Sequence, residues 1–279
     1  MHSTGWRMSR VDDPFDILMD RLAALAVEAV QVPETAIQAY WLSLISAMLQ
    51  DDPSSHLLLA GVVQQAMLAG ALDEWAHPLA PGALVQLLRA EDLLEGVEGS
   101  RLPRRLPVTW DHVVSFRESA VSVRQVYQPY IADIQEQASQ LWQAARCLYG
   151  VRPDALQQLS EEMARGVVLF EAGLYFACHE YFETLWGRTG DEASDFYQGL
   201  IQVAVAMRHL ESHNVRGAVT LLHNGLHRLR RYPANYKGLT LARFLAEVVC
   251  LLYHLHTLPH TTQYQFDPAQ VPRLLSSRE

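Results

Sequence analysis

Apolar side chains recur along this chain every three or four residues, which is the spacing of amphipathic helices. In the first 150 residues the pattern predicts five helices, over about Phe15–Val30, Glu34–Leu49, Asp52–Leu72, Pro81–Leu94 and Asp111–Leu148. Pro129 should kink or break the last of these. A polar stretch rich in Arg, Gly and Pro, Glu95–Pro107, is predicted to be a loop. No sustained two-residue alternation is found, so we expect no sheet.

The rest of the chain predicts four more helices, over about Asp154–Gly187, Glu192–Ser212, Val215–Arg231 and Thr240–Thr257. Asn214 and Thr240 are suitable N-cap residues for the last two. Loops this short join antiparallel neighbours, so the pattern indicates a four-helix bundle. The segment Pro259–Glu279 lacks a helical face until about Val271 and is expected to pack in an extended form. The predicted fold is therefore all-α, in two helical parts.

Charge divides the chain at the same place as the helix pattern. Residues 1–150 carry 10 basic and 18 acidic side chains, whereas residues 151–279 carry 12 and 13. Gly150 and Pro153 suit the end of one helix and the start of another. We therefore predict an acidic helical domain over residues 1–150 and the bundle, with its extended tail, over residues 151–279.

Composition excludes several classes of protein. A net charge of -9 has the wrong sign for coating nucleic acid, so we expect no nucleic-acid binding. The three cysteines share no CxxC spacing, which indicates reduced thiols in a cytoplasmic protein. No apolar run is long enough to cross a membrane, and the first residues lack the apolar core of an export signal. The expected protein is cytoplasmic and does not bind membranes.

Candidate chemistry first appears on the helix predicted around residue 180. His179 and Glu183 lie one turn apart on the stripe that should face the core, and Glu180 lies about 100° away, at its flank. A buried carboxylate is unfavourable unless it meets a donor, a metal or a proton. The next helix carries Gln198, Gln202 and His209 on one stripe. Two polar stripes on adjacent buried helices predict one internal polar cluster.

The segment around these residues resembles a known family. Its motifs are Gly173, the HExxExxW run His179–Trp186, the QGLIQ run Gln198–Gln202, then His209, Asn214 and Gly217-Ala218. In this order they resemble the bacterial and archaeal domain-of-unknown-function 309 family, over about residues 160–245. The resemblance implies a small helical bundle. It implies no reaction, because the family has no agreed activity.

Three interpretations of the polar cluster compete. In the leading one, Glu183 accepts hydrogen bonds from Gln202 or His209 in a sealed structural network. In the second, His179, Glu183 and His209 bind a divalent metal, with Gln202 behind them; imidazole and carboxylate suit Zn, Mn or Fe. In the third, Glu183 and His179 exchange protons as catalytic residues or hold a small ligand. An open route to Glu183 favours an enzyme, and a sealed cluster favours the network.

Two further groups of residues carry possible chemistry. Arg216, His223, His227 and Arg230 share one stripe of the third bundle helix, which is either a solvated face or an anion-binding site joined by Arg228, Arg231 and Lys237. Cys178 should be an inert packed thiol, because helix neighbours such as Cys178 and His179 point apart. The favoured function is a non-enzymatic binding or interaction protein whose acidic N-terminal part meets a protein partner. The alternative is a metal-dependent hydrolase centred on His179, Glu183 and His209.

Overall fold

The structure, a computed structural model, describes residues 13–32, 35–36, 39, 42–43, 46–47, 50, 57–58, 114–117, 120–149, 153–258 and 264–275. The helix predicted over Pro81–Leu94 and the loop predicted over Glu95–Pro107 lie outside the described residues. So does most of the helix predicted over Asp52–Leu72.

The first two predicted helices are found where they are described. Helix α1 spans Pro14–Ala29, and the Asp13 carboxylate accepts a hydrogen bond from the Phe15 amide, which caps the helix start. Its apolar stripe, which includes Leu18 and Ala29, is buried. Positions 35–36, 39, 42–43 and 46–47 are also helical, in agreement with the second prediction.

A small antiparallel sheet replaces parts of two predicted helices. Strand β1 is Leu57–Leu58, β2 is Val114–Arg117 and β3 is Ala120–Val123, and β3 lies between the other two. The expectation of no sheet and of a helix starting at Asp111 was therefore wrong. The sequence VSFR followed by AVSV does alternate over a few residues, and its β-branched valines favour strands. That alternation is too short to predict a strand.

The second half of the long predicted helix is confirmed. Gln125–Tyr130 forms a 3-10 helix that contains Pro129, and helix α2 spans Ile131–Tyr149. The α-helix begins just after the proline because proline lacks the amide hydrogen that a helix interior needs.

Between Asp154 and Thr257, which the structure describes throughout, six helices replace the predicted four. They are α3 Asp154–Gln157, α4 Glu161–Glu171, α5 Tyr175–Trp186, α6 Asp191–Glu211, α7 Val215–Leu229 and α8 Leu241–Thr257. The single helix predicted over Asp154–Gly187 was wrong. The Ser160 hydroxyl caps the start of α4, and Gly173, at a φ of 83°, turns the chain between α4 and α5.

The later helix boundaries follow the prediction closely. The Asn214 side chain accepts a hydrogen bond from the Gly217 amide at 3.0 Å, so the predicted cap of α7 is confirmed. Thr240 does precede α8, but its side chain makes no capping hydrogen bond. A two-stranded hairpin, β4 Asn235–Tyr236 and β5 Leu239–Thr240, joins α7 to α8. Its turn residues, Lys237 and Gly238, both have positive φ.

The bundle core is built on close helix crossings. Helix α6 packs against both α5 and α7, α4 packs against α5, and α7 packs against α8. Gly199 and Gly225 lie at the crossing of α6 and α7, where a Cβ on Gly225 would stand 3.0 Å from the Gly199 carbonyl oxygen. Phe182 of α5, with no exposed surface, fills the space opposite Gly166 of α4. These crossings fix the faces that α5, α7 and α8 turn outward.

The tail returns to the bundle. The amides of Leu274 and Leu275 both donate to the Glu171 carboxylate at the end of α4, and Arg273 pairs with the same group. Tyr264, Val271 and Leu274 are buried. Residues 264–275 contain one 3-10 turn, at Pro268–Gln270, and an extended form of the whole segment Pro259–Glu279 stays a prediction.

The all-α fold is confirmed, since the described residues are mostly helical and the C-terminal helices pack against one another. The chain divides into two compact units, Met1–Leu25 with Gln38–Ala138, and Ala26–Ile37 with Ser139–Glu279. A domain boundary at Gly150–Pro153 stays a prediction. Among the described residues, no helix combines the length and the apolar character needed to span a bilayer.

Candidate functional site

Helix α5 gathers three side chains that could bind a metal: His179, Glu180 and Glu183. One ligand atom from each lies within 4.8 Å of the others. His179 Nε2 is 3.1 Å from Glu183 Oε1, and His179 Nδ1 is 3.3 Å from Glu180 Oε1. The imidazole therefore stands between two carboxylates. We call these three residues the His-Glu cluster.

The local sequence explains how α5 presents this cluster. Its buried face carries Cys178, Tyr181, Phe182 and Leu185, which pack into the bundle. The His-Glu cluster lies beside that face, so the imidazole is only 15% exposed while each carboxylate is 48% exposed. The Phe176 ring packs near the imidazole, with 5.8 Å between ring centroids. Packing thus orients His179, and solvent reaches the carboxylates.

Exposure corrects the expectation that Glu183 is buried. The apolar stripe of α5 is centred about one position away from the stripe drawn from the sequence, which leaves Glu183 at the surface. Gln202 shows no hydrogen bond to it, and Gln202 Oε1 is buried without a hydrogen-bond partner among the described residues. A sealed network around Glu183 is therefore not the arrangement seen.

The His-Glu cluster also differs from the predicted metal-binding set in its third residue. The sequence proposed His209 with His179 and Glu183, whereas the structure places the Glu180 carboxylate with them. Glu180 was expected at the flank because a helical wheel gives the direction of Cα–Cβ bonds only. The reach of the glutamate side chain brings its oxygen to the imidazole.

His209 instead joins the end of α6 to the start of α7. It is 9% exposed, and its Nδ1 lies 2.9 Å from Asn214 Nδ2. Because Asn214 Oδ1 already accepts from the Gly217 amide, Nδ2 is the donor and His209 Nδ1 the acceptor. This arrangement needs neutral imidazole with its hydrogen on Nε2. Burial, with a smaller contribution from the charge of Arg208, lowers the pKa of His209 and favours the same form.

We expect this histidine to make the bundle sensitive to acid. The folded-state pKa of His209 lies below its ordinary value of about 6.5, so the unfolded chain binds the proton more readily. Its contribution to stability is complete above that ordinary value and is lost as pH falls below it. Urea unfolding at several pH values should show a smaller acid-induced loss for His209→Gln than for the wild type. Equal losses in the two proteins would contradict this role.

The predicted anion-binding stripe does not converge on one point. His223 Nε2 faces His256 Nε2 of α8 at 3.2 Å, while His227 contacts Arg230 and Arg231 at 2.9 and 3.0 Å. Arg231 and Arg228 both pair with Asp195 of α6. The basic groups at the end of α7 are thus partly neutralised within the protein. An anion site here stays a prediction.

Cys178 behaves as the sequence suggests. It is fully buried, its thiol lies 3.4 Å from the Gly166 carbonyl oxygen, and burial raises its pKa well above the ordinary value. A thiol in that state is a poor nucleophile.

Sequence reasoning missed the contact of His223 with His256, because it links residues on two helices and no local spacing signals it.

Comparison with known proteins agrees with the motif analysis. Residues 163–221 match the model of a family described as Domain of unknown function (DUF309). The matched segment holds most of α4, all of α5 and α6, and the first half of α7, and so contains the His-Glu cluster, His209 and Asn214. Neither the curated proteins nor the solved structures gave a match. The resemblance drawn from the motifs is therefore confirmed for this segment of the chain.

Proposed function

We propose that the C-terminal bundle is a binding protein for a divalent cation, which it holds at the His-Glu cluster. The observation that supports this most is the convergence of three ligand atoms within 4.8 Å on one helix face. All three come from five consecutive residues of α5, so helix geometry positions them without any loop movement. One imidazole and two carboxylates suit Mn, Zn or Fe.

The imidazole has one nitrogen near each carboxylate. Nε2 and the Glu183 carboxylate, 3.1 Å apart, can bind the ion together, while Nδ1, 3.3 Å from Glu180 Oε1, is buried without a hydrogen-bond partner among the described residues. The negative charge of the two carboxylates attracts a cation.

A metal-dependent hydrolase is the second candidate, and the exposure of the carboxylates favours it. A site whose ligands all come from one helix leaves coordination positions open to water, and a bound divalent ion lowers the pKa of such a water. The carboxylate not bound to the ion could then act as a general base. Partner binding by the acidic residues 1–150 stays a separate prediction.

The test is calorimetric titration of the full, chelator-treated chain with Mn²⁺, whose preference for carboxylates suits this cluster. Glu183→Gln should weaken binding by at least about tenfold, and Glu180→Gln with Glu183→Gln should abolish it. Glu162→Gln on α4, an exposed carboxylate outside the cluster, is the matched control and should bind as the wild type does. A wild type that takes up no Mn²⁺, or a double variant that still binds it, refutes the proposal.

Thermal melts of the same proteins separate the cation site from a structural network. Without metal, Glu183→Ala and Glu183→Gln should both unfold within about 0.5 kcal/mol of the wild type, because the side chain is exposed. Added Mn²⁺ should raise the melting temperature of the wild type only. Metal-dependent hydrolysis of an activated phosphate ester that Glu183→Gln loses would favour the enzyme over the binding protein.

A further inference from the structure

A second site is formed by two histidines on neighbouring helices. His223 of α7 and His256 of α8 are both exposed, and their Nε2 atoms lie 3.2 Å apart. Each histidine directly follows a buried leucine that fixes its place on the helix. Leu222, before His223, is fully buried, and Leu255, before His256, is 5% exposed. The packing of α7 against α8 therefore holds the two imidazoles with the same nitrogen of each ring facing the other.

This separation is that of two nitrogen ligands on one metal ion. A Zn–N bond of about 2.0–2.1 Å in tetrahedral geometry places neighbouring ligand nitrogens roughly 3.3 Å apart. Without a metal ion, two neutral imidazoles whose Nε2 atoms face each other attract only if one Nε2 carries a hydrogen and donates it to the other. A cation satisfies both lone pairs at once.

We infer that His223 and His256 form a two-histidine site for a transition-metal ion of the Ni²⁺, Cu²⁺ and Zn²⁺ class. Imidazole prefers these ions, whereas Mn²⁺ prefers carboxylates. Among the described residues, no group of three ligand atoms that lie within 4.8 Å of one another includes either histidine. The ion would connect α7 to α8 and stabilise the folded bundle. This site is independent of the His-Glu cluster.

The test follows Ni²⁺ binding by calorimetry and thermal melting in the full chain carrying His179→Ala, which removes the imidazole of the His-Glu cluster. That chain should bind Ni²⁺ and melt at a higher temperature when Ni²⁺ is added. Adding His223→Ala or His256→Ala should each weaken Ni²⁺ binding at least about tenfold. The matched controls, one on each helix, are His227→Ala and His254→Ala, and both should bind as their parent does.

Two results would overturn the inference. The first is that the His179→Ala chain binds no Ni²⁺, even at a Ni²⁺ concentration that saturates pairs of free imidazoles. The second is a loss of Ni²⁺ binding that is as large for the control substitutions as for His223→Ala and His256→Ala. Neither result bears on Mn²⁺ binding at the His-Glu cluster, so the two sites are tested separately.

Discussion

Replacing Phe182 with alanine should lower the free energy of unfolding by about 3–5 kcal/mol. The side chain has no exposed surface, and its ring occupies the space where a Cβ on Gly166 would lie, 2.4 Å from two ring atoms. The ring fills the space between α4 and α5 at Gly166, so its removal leaves a cavity. Urea unfolding followed by circular dichroism measures the loss.

Phe176, on the same helix, provides the control for that measurement. It is partly exposed, so Phe176→Ala should cost clearly less than Phe182→Ala. If the two substitutions lower the free energy of unfolding equally, the contact between Phe182 and Gly166 does not stabilise the packing of α4 on α5 as described.

Gly225→Ala should lower the free energy of unfolding by about 1–3 kcal/mol, because the added methyl group overpacks the crossing of α6 and α7. It would meet Val203 Cγ2 at 2.9 Å and the Gly199 carbonyl oxygen at 3.0 Å. A backbone oxygen cannot rotate away as a side chain can, so the helices must separate.

The control is Gly187→Ala at the end of α5, where a Cβ would make only ordinary contacts, the nearest at 3.5 Å. It should leave stability nearly unchanged. Val203→Ala itself removes a buried side chain, so combining it with Gly225→Ala should cost less than the sum of the two single losses, since one of the two clashes disappears. If Gly225→Ala is as stable as the wild type by urea unfolding, α6 and α7 do not cross as closely as described.

The helices of the bundle could be predicted from sequence because their apolar residues repeat over many turns. The break at Gly173 could not be placed with the same rule, since apolar residues continue at helical spacing on both sides of it. Only the backbone conformation, a left-handed glycine, separates α4 from α5. The strands Val114–Arg117 and Ala120–Val123 were not predicted, because four residues are too few to establish a period.

The candidate site was predicted in part. The spacing of His179 and Glu183 places them one turn apart on α5, and the structure confirms their proximity. The prediction that Glu183 is buried was wrong, because a helical wheel does not show which edge of a stripe a neighbouring helix covers. Glu180 was predicted at the flank because the wheel ignores side-chain length, and no local spacing predicts the contact of His256 with His223 on another helix.

The tail bound to Glu171 affects how the bundle assembles. The contact between the Leu274 amide and Glu171 spans 103 residues and closes a loop around α5, α6, α7 and α8. Loop closure over such a separation is entropically unfavourable until the intervening helices have formed, so it belongs to the late part of folding. Leu274 must leave the ribosome before this contact can form, so we expect the bundle to complete its folding only after residues 264–275 have emerged.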